Sequence, residues 1–435
     1  PLIAIVYLWL VTPNKKRKCL IPKLISILFL LLIFLGYRYF EQGNLFSLKA
    51  DPTSGDTHRL LYLLSQIKVI LGYYLLKLLT PFNLNFEPDL VLYSNWFHWD
   101  WIISLTILLI AGIVIFKQQS NLIKFGALWF LITLLPTSSF IPLKQLATEH
   151  RTYLPGLVFS LILGWMFLNI KNCQTAAKVL FLIFILLSSA LTLNRSLDFR
   201  SEVSLWKDTS QKSPRKALVH NNLATAYMAI DQLQKAKDAL KTALTINPSQ
   251  IDSYVNLGHI AGREKNWEQA IEKFDLGISL GTKKSETFYY SGFARNNLGR
   301  YEEAIPYFEK AISLQPFKAD YYFDLGNSYR HLKLFDNALY HFRKTLEIDP
   351  NHYKAHNNMG TIFWVLGATD QARVAFENVL SIKPYIPAIH NNLAAIHIKK
   401  GDYKKAIPHL EKLISLQPEN INAQKLLQLS LGQIR

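Results

Sequence analysis

The chain has 435 residues, of which 50% are hydrophobic and 18% charged, and its net charge at pH 7 is +17. This length accommodates more than one domain. Residues 1–216 carry 22 basic and 10 acidic side chains, whereas residues 217–420 carry 24 and 21. A nucleic-acid-binding protein would carry its basic excess on the soluble part, so the composition argues against a nucleic-acid partner.

The first half contains long apolar runs, such as LISILFLLLIFLGY, WIISLTILLIAGIVIF and VLFLIFILLSSALTL. A membrane-spanning helix needs about 20 apolar residues. We therefore predict a polytopic transmembrane domain over residues 1–198, with lysine-rich cytoplasmic loops at residues 15–18, 117–124 and 171–178. Everything after Asn194 then lies on the extracytoplasmic side (periplasmic or lumenal). The predicted spans are at about residues 1–12, 24–40, 100–116, 125–142, 153–170 and 179–193.

The segment at residues 59–80 is apolar but contains Gln66, Lys68 and Lys77. We interpret it as an amphipathic helix in the membrane interface. The alternative is a further span, which would place the second half of the chain in the cytoplasm. Because the chain begins with Pro1 inside an apolar run without a basic flank, we expect a fragment whose upstream part is missing, and we predict no signal peptide.

The second half repeats every 34 residues. Prolines occur at 214, 248, 316, 350, 384 and 418, with Thr282 in the one missing place. A period of 34 is typical of tetratricopeptide repeats, in which each repeat is a hairpin of two helices, A and B. The period predicts six repeats over residues 217–420. A linker helix at residues 199–216 precedes them, and a capping helix at 421–435, with Leu426, Leu427 and Leu429, follows.

Two positions of each repeat carry the packing signal. Position 8 is small, and position 24 is a bulky apolar residue that we expect to fill the space between repeats; position 20 is always alanine. Small residues allow two helices to approach closely. Position 8 is Ala224, Gly258, Gly292, Gly326, Gly360 and Ala394, and position 24 is Leu240, Phe274, Phe308, Phe342, Phe376 and Leu410.

Helix A of each repeat is expected to line a concave groove. Position 6 of this helix reads Asn222, Asn256, Tyr290, Asp324, Asn358 and Asn392. Because an asparagine amide both donates and accepts hydrogen bonds, such a row can hold an extended peptide backbone. The row resembles the asparagine ladder in the repeats of the O-linked N-acetylglucosamine transferase. The alternative is that asparagine is simply a solvated residue there.

Aromatic residues interrupt the row at Tyr289, Tyr290, Phe293 and Phe323. They could form an anchor pocket for an apolar side chain of a partner, or they could pack between repeats. Histidines recur at one repeat position, at residues 220, 356 and 390. Adjacent repeats are too far apart to share a tetrahedral metal ion, so we predict packing roles for them and no metal site. The two cysteines, Cys19 and Cys173, lie outside the repeats, which excludes cysteine-based metal sites there.

Three junction stretches carry a family resemblance: residues 59–89, residues 135–165 with the sequence LPTSSFIPLKQLATEHRTYLPGLVFSLILGW, and residues 194–214. Together they resemble the membrane domain of the transmembrane-and-tetratricopeptide-repeat protein O-mannosyltransferases and their bacterial relatives. The resemblance implies a GT-C membrane fold, a polyprenyl-phosphate sugar donor and transfer to protein Ser or Thr. It also implies an essential acid in an early extracytoplasmic loop, which we expect to lie upstream of this fragment. No catalytic residue is therefore assigned, and no cofactor is expected within the fragment itself.

Basic side chains at an extracytoplasmic membrane face could neutralise a lipid phosphate, and arginine does so through two parallel hydrogen bonds. The alternative is that they are ordinary interfacial anchors. The candidate lipid-phosphate residues are Lys144, Glu149, His150, Arg151 and Tyr153.

The predicted fold class is all-α, a GT-C-like transmembrane helical domain followed by a tetratricopeptide-repeat α-solenoid. The leading functional hypothesis is the acceptor-recruiting part of a membrane protein O-glycosyltransferase, whose groove binds a protein or peptide. The rival is a non-enzymatic membrane scaffold for the assembly of envelope proteins.

Overall fold

The computed structural model describes residues 59–79, 84–90, 97–117, 120–134, 151, 153–168 and 174–434. The described secondary structure is entirely helical. The chain forms two compact units, residues 1–247 and residues 248–435. The spans predicted at residues 1–12 and 24–40 lie outside the described residues, as do Cys19 and Cys173.

The first unit begins with the apolar helices. Helix α1 (Arg59–Val69) continues through a π-helical segment (Ile70–Leu75) into α2 (Leu76–Leu79), and is followed by α3 (Trp99–Lys117), α4 (Asn121–Leu134), α5 (Tyr153–Leu168) and α6 (Gln174–Asp198). By length and composition, Leu61–Leu78, Trp99–Lys117 and Lys178–Asp198 could each cross a membrane, while Asn121–Leu134 is shorter. Leucines on α3 and α6 remain exposed, for example Leu109 at 59% and Leu186 at 62%. Such apolar faces are expected where lipid replaces water.

A short helix, α7 (Glu202–Lys212), leads into the first repeat of the same unit. Ser201 caps it by accepting a hydrogen bond from the Ser204 backbone N–H, and the Ser204 hydroxyl bonds back to the Ser201 N–H, each at 3.1 Å. This reciprocal pair satisfies two of the backbone donors that every helix N-terminus leaves free. The first repeat consists of α8 (Ala217–Ala229) and α9 (Leu233–Ile246).

The second unit is a succession of helical hairpins whose first helices begin at intervals of 34 residues. The hairpins are α10 (Ile251–Arg263) with α11 (Trp267–Ser279), α12 (Ser285–Asn297) with α13 (Tyr301–Leu314), α14 (Ala319–His331) with α15 (Phe335–Ile348), α16 (Tyr353–Val365) with α17 (Thr369–Ile382), and α18 (Pro387–Lys399) with α19 (Tyr403–Leu416). A last helix, α20 (Ile421–Gly432), follows them.

Each hairpin of this unit is closed by the pair of residues at positions 8 and 24. In the α16–α17 hairpin, a Cβ atom added to Gly360 would lie 2.7 Å from the Phe376 ring, and Gly258, Gly292 and Gly326 face Phe274, Phe308 and Phe342 in the same way. The position-24 ring therefore fills the space inside its own hairpin, where only a glycine leaves room for it. It also extends into the core between repeats, since Phe376 belongs to one cluster with Phe342 and Leu393.

The turn between helices A and B has a left-handed residue at position 15 of every repeat. The residue is Gly299, Gly367 or Gly401 in three repeats (φ 75–76°) and Asp231, Lys265 or Lys333 in the others (φ 58–60°). The recurring histidines have an equally regular role. His220 Nε2 lies 3.0 Å from the carbonyl oxygen of Pro214, six residues earlier, and His356 and His390 contact Pro350 and Pro384 in the same way at 3.2 and 3.0 Å.

Helix α20 covers the end of the array. Ala423 is buried, and Leu426 and Leu427 pack against Leu410 and Leu413. Leu429, the third leucine named in the predicted capping helix, is 52% exposed. Successive residues of an α-helix are rotated by about 100° around its axis. Leu429 therefore points away from the face that Ala423, Leu426, Leu427 and Ser430 share.

The first unit also contains the junction between its apolar helices and its repeat. The segment of residues 84–90, here called the clasp, lies against α7 and the start of α8. Asn85 Nδ2 donates to the Ser213 hydroxyl at 2.8 Å, and that hydroxyl donates to the Glu87 carbonyl at 2.9 Å. Lys212 Nζ donates to the Leu84 carbonyl at 2.7 Å. The clasp thus satisfies its backbone groups with side chains that lie more than 120 residues away in sequence.

Charge and aromatic contacts reinforce the clasp. The Glu87 side chain is fully buried, and Lys216 Nζ pairs with its carboxylate at 2.9 Å. Phe86 contacts Trp206 edge-to-face, with 5.5 Å between ring centroids. On the other side, the Tyr73 hydroxyl donates to the Asn85 carbonyl at 2.8 Å. Two of the stretches that carry the family resemblance, residues 59–89 and 194–214, therefore fold against each other.

Candidate functional site

The second unit contains a polar cleft of about 330 Å³ on helices α12, α14 and α16. Five of its side chains are amides or a carboxyl group, and the remainder are aromatic or basic. They are Asn296, Asn297, Asp324, Asn327 and Asn358, with Phe293, Tyr301, Arg330 and His331. Since all of them come from A helices or the start of the following B helix, the cleft lies on the face that the repeat pattern assigns to ligands.

The amides of the cleft form a hydrogen-bonded row. Asn358 Nδ2 donates to Asn327 Oδ1 at 2.7 Å, and Asn327 Nδ2 donates to Asp324 Oδ1 at 3.3 Å. Asp324 Oδ2 in turn accepts from the Tyr289 hydroxyl at 2.7 Å. Asn296 joins the row by donating to the Asp324 backbone carbonyl at 3.3 Å. These bonds fix the orientation of each amide, and each amide keeps further donor and acceptor capacity for a ligand.

Burial changes the acidity of the Tyr289–Asp324 pair. It raises the pKa of Asp324 above its usual value, while the hydrogen bonds from Tyr289 and Asn327 act in the opposite direction. Burial, followed by the neighbouring Asp324 charge, raises the pKa of Tyr289. The tyrosine therefore keeps its proton and remains a permanent donor to the carboxyl group.

The aromatic residues that interrupt the row have different environments. Tyr289 stacks on Tyr321 with 4.7 Å between centroids. Phe323 packs against the core beside Phe342 and His352. Tyr290 is 38% exposed and lies edge-on to His259 at 4.6 Å. Only Phe293 among them lines the cleft itself.

Several cleft residues were missed by reading one repeat position at a time. Asn327 is at position 9 and Asn296 at position 12, whereas Asn358 is at the predicted position 6. The bonded pair Asn327–Asn358 is separated by 31 residues and not by 34, because neighbouring A helices meet one turn out of register. A search for polar residues separated by 31 residues would have found this row.

The other predicted site residues lie elsewhere. Asn222 is half-buried on α8 of the first unit, and Asn256 and Asn392 are half-buried on α10 and α18 of the second. Of the predicted lipid-phosphate residues, Lys144, Glu149 and His150 lie outside the described residues. Arg151 is half-buried immediately before α5, which begins at Tyr153.

Three profiles of the family described as tetratricopeptide repeat match residues 217–250, 296–353 and 366–429. These matches cover α8–α9 of the first unit and α13–α15 and α17–α19 of the second. The second half of the chain consists of tetratricopeptide repeats.

Curated proteins to which the chain is similar are named protein O-mannosyl-transferases. Protein O-mannosyl-transferase Tmtc3 of Drosophila melanogaster is 23% identical over 177 residues, which is 39% of this chain and 19% of that protein. Tmtc2 of the same organism is 32% identical over 112 residues, or 25% and 12%. Protein O-mannosyl-transferase F38B6.6 of Caenorhabditis elegans is 26% identical over 207 residues, or 46% and 30%. This chain is a tetratricopeptide-repeat protein related to protein O-mannosyl-transferases, and each matched stretch spans less than a third of the relative's length.

Solved structures with helical repeats also match. The C-terminal part of a TPR repeat-containing protein from Cytophaga hutchinsonii is 19% identical, covers 52% of this chain and 93% of that one, and has a TM-score of 0.46. YrrB, described as a TPR protein with an unusual peptide-binding site, is 19% identical, covers 51% and 97%, and has a TM-score of 0.35.

Proposed function

We propose that the tetratricopeptide repeats bind an extended segment of a partner protein along the cleft of α12, α14 and α16. The observation that carries this proposal is the row of oriented amides, Asn296, Asn327 and Asn358, with Asp324 between them. An extended backbone presents a donor and an acceptor at regular intervals and can bond to such amides whatever its side chains are. The repeats thereby supply a binding surface with broad sequence tolerance.

The test is a binding measurement on the full chain in detergent, with fluorescein-labelled peptide pools and fluorescence anisotropy. Replacing Asn327 and Asn358 together by alanine should weaken binding about tenfold or more, because each lost hydrogen bond contributes roughly 0.5–1.5 kcal/mol. Asn351→Ala, in the exposed turn after α15, is the matched control and should leave affinity unchanged. Equal affinities for the wild type and the double variant would refute the cleft as the binding site.

Tyr290 offers a separate test of the anchor hypothesis. Its ring is partly exposed and is supported by His259 and Phe274. If it receives an apolar side chain of the partner, Tyr290→Ala should weaken binding of aromatic-containing peptides more than that of peptides without aromatic residues. An unchanged affinity for both would exclude the anchor.

We infer a wider role from the relatives. The repeats recruit the acceptor protein to a membrane-bound protein O-glycosyltransferase that uses a polyprenyl-phosphate sugar. Holding an acceptor next to a catalytic site raises its effective concentration, typically to the millimolar range. Membranes that contain the full-length protein, with the catalytic acid that the resemblance implies, a radiolabelled polyprenyl-phosphate mannose and a bound Ser/Thr-rich acceptor should therefore label the acceptor. The cleft double variant should lower labelling at limiting acceptor and approach the wild type at saturating acceptor. Intact binding without any labelling would instead favour the non-enzymatic scaffold.

Arg151 is the basic member of the predicted lipid-phosphate set that lies among the described residues, and we propose that it contacts the phosphate of the lipid donor. The guanidinium suits this role because it forms two parallel hydrogen bonds with a phosphate. Arg151→Gln should reduce the amount of radiolabelled polyprenyl phosphate retained by the purified protein, whereas Arg151→Lys should retain part of it. Equal retention by all three proteins would identify Arg151 as an interfacial anchor.

We propose further that the repeats are extracytoplasmic. Lys68, near the middle of the stretch Arg59–Leu79, pairs at 2.6 Å with Asp100 in the first turn of α3. If α3 spans the bilayer, this contact supports a position of Lys68 at the membrane surface and a course of residues 59–79 along that surface. Lys117 lies at the C-terminal end of α3 and Lys178 near the N-terminal end of α6. A lysine at each of these helix ends fits a cytoplasmic position. In sealed inside-out vesicles the repeats should then resist added protease; digestion would place them in the cytoplasm.

A further inference from the structure

A half-buried arginine in the cleft has no carboxylate partner among the described residues. Arg330, in the last turn of α14, is half-buried, and its Nε atom is buried without a hydrogen-bond acceptor. Its Nη2 atom lies 3.1 Å from His331 Nε2, and no carboxylate among the described residues forms an ion pair with it. His331 is itself held in place by a parallel stack on Tyr301, with 4.4 Å between ring centroids. Arg330, His331 and Tyr301, here called the arginine corner, occupy one part of the cleft lining.

In the neighbouring repeat, the guanidinium of Arg295 is surrounded by hydrogen-bond acceptors. Arg295 donates to Asp275 at 2.6 Å, to the Ser291 hydroxyl and to the Tyr307 hydroxyl at 2.9 Å. Its guanidinium also lies 3.9 Å from the centroid of the Tyr307 ring. Removing a guanidinium from water without such partners is unfavourable. The incomplete shell of Arg330 is therefore a feature that an external anion would complete.

We propose that the arginine corner binds a side-chain carboxylate of the partner segment, so that the preferred segment carries an Asp or Glu residue beside the amide row. This inference rests on the proposed peptide-binding function and adds the chemistry of the partner. Arg330 is three residues after Asn327, hence on the same face of α14 and one turn away. A segment that bonds to Asn327 can thus place a side chain of a nearby residue on Arg330.

The composition of the corner favours a carboxylate over a phosphate. A planar carboxylate is matched by the two parallel donors of one guanidinium, whereas a dianionic phosphate usually requires several cations or helix N-terminal amides. Among the cleft residues Arg330 is the one permanent cation. Asp324 is six residues away on α14, about 9 Å along the axis, and its carboxyl group is already bonded to Tyr289 and Asn327. It does not compete for the guanidinium.

The test compares two pools of 12-residue fluorescein-labelled peptides on the full chain in detergent, identical except for a central Glu or Gln. Wild-type protein should bind the Glu pool about tenfold or more tightly, because a charge-assisted hydrogen bond contributes more than a neutral one. High salt should reduce this preference. Arg330→Gln should abolish the preference, so that the two pools bind with equal affinity, and Arg330→Lys should keep part of it. Arg343→Gln, an equal charge change on the exposed side of α15, is the matched control.

Each outcome separates the two proposals. Equal binding of both pools by wild-type protein, or a preference that survives Arg330→Gln, would overturn the carboxylate site and leave peptide binding intact. No binding of either pool would overturn the proposed function and this inference together. A third pool with central phosphoserine that binds more tightly than the Glu pool would show that the corner selects phosphate. If Arg330→Gln lowers the melting midpoint, Arg330→Lys and the salt dependence of the wild-type preference decide the question.

Discussion

The contact between position 8 and position 24 predicts the effect of adding one methyl group. In Gly258→Ala the new Cβ atom would lie 2.7 Å from two carbons of the Phe274 ring. Carbon atoms in contact are normally about 3.5–4.0 Å apart. Phe274 is only 2% exposed, so its ring has little space to retreat. Overpacking of this kind typically costs about 1–3 kcal/mol, and the higher helix propensity of alanine returns about 1 kcal/mol. We expect a net loss of about 0–2 kcal/mol.

The same helix provides the control. Gly262 lies one turn further along α10, where an added Cβ would meet nothing closer than 3.7 Å from the Trp267 ring. Gly262→Ala should therefore stabilise the protein by about 1 kcal/mol. The helix-propensity gain is common to both variants, so the difference between their free energies of unfolding isolates the steric cost, about 1–3 kcal/mol. Urea unfolding of residues 248–435, a compact unit, followed by far-UV circular dichroism measures it.

A second substitution tests the cause. The repeats that have alanine at position 8, Ala224 and Ala394, have leucine at position 24 and not phenylalanine. Adding Phe274→Leu to Gly258→Ala should therefore cost less than the sum of the two single changes, with a coupling of about 1 kcal/mol or more. Additive effects, or equal stabilisation by Gly258→Ala and Gly262→Ala, would refute the packing argument.

Three further predictions concern the junction, the turns and the histidines. Lys216→Met removes an ion pair from the buried Glu87 carboxylate, at a cost of about 3 kcal/mol, and should speed tryptic cleavage at the junction roughly 100-fold. Unchanged cleavage would show that the clasp does not restrain the junction. Lys333 and Gly367 both have left-handed backbone conformations, which glycine adopts more readily than lysine. In urea unfolding, Lys333→Gly should therefore stabilise the second unit by up to about 1 kcal/mol, and Gly367→Lys should destabilise it by about as much. Effects of the same sign would contradict this. Burial and neighbouring histidines lower the pKa of His409 to about 4. Since the unfolded chain binds this proton near pH 6.5, stability should be full above pH 6.5 and be lost as the pH falls towards 4, and His409→Gln should flatten this pH dependence.

Much of the architecture could be predicted from sequence, because its causes are local or periodic. Apolar runs long enough to cross a bilayer mark the candidate membrane helices without any knowledge of their packing. A 34-residue spacing of Pro, Ala and small residues defines the hairpins, since each repeat contacts only its neighbours and needs no distant partner to fold in register. The pairing of glycine with phenylalanine and of alanine with leucine is also visible in the sequence, although its steric reason appears only in the contact of Gly258 with Phe274.

The binding cleft and the junction could not be predicted in this way. Asn296, Asn327 and Asn358 occupy three different repeat positions and meet because adjacent helices are offset by one turn. That no carboxylate among the described residues pairs with Arg330 becomes evident only when the surroundings of its guanidinium are known. Asn85 and Ser213 are 128 residues apart, and no periodicity relates them. Period and hydropathy follow from the order of residues along the chain, whereas these contacts depend on the offset and twist between elements, which arise when their side chains pack.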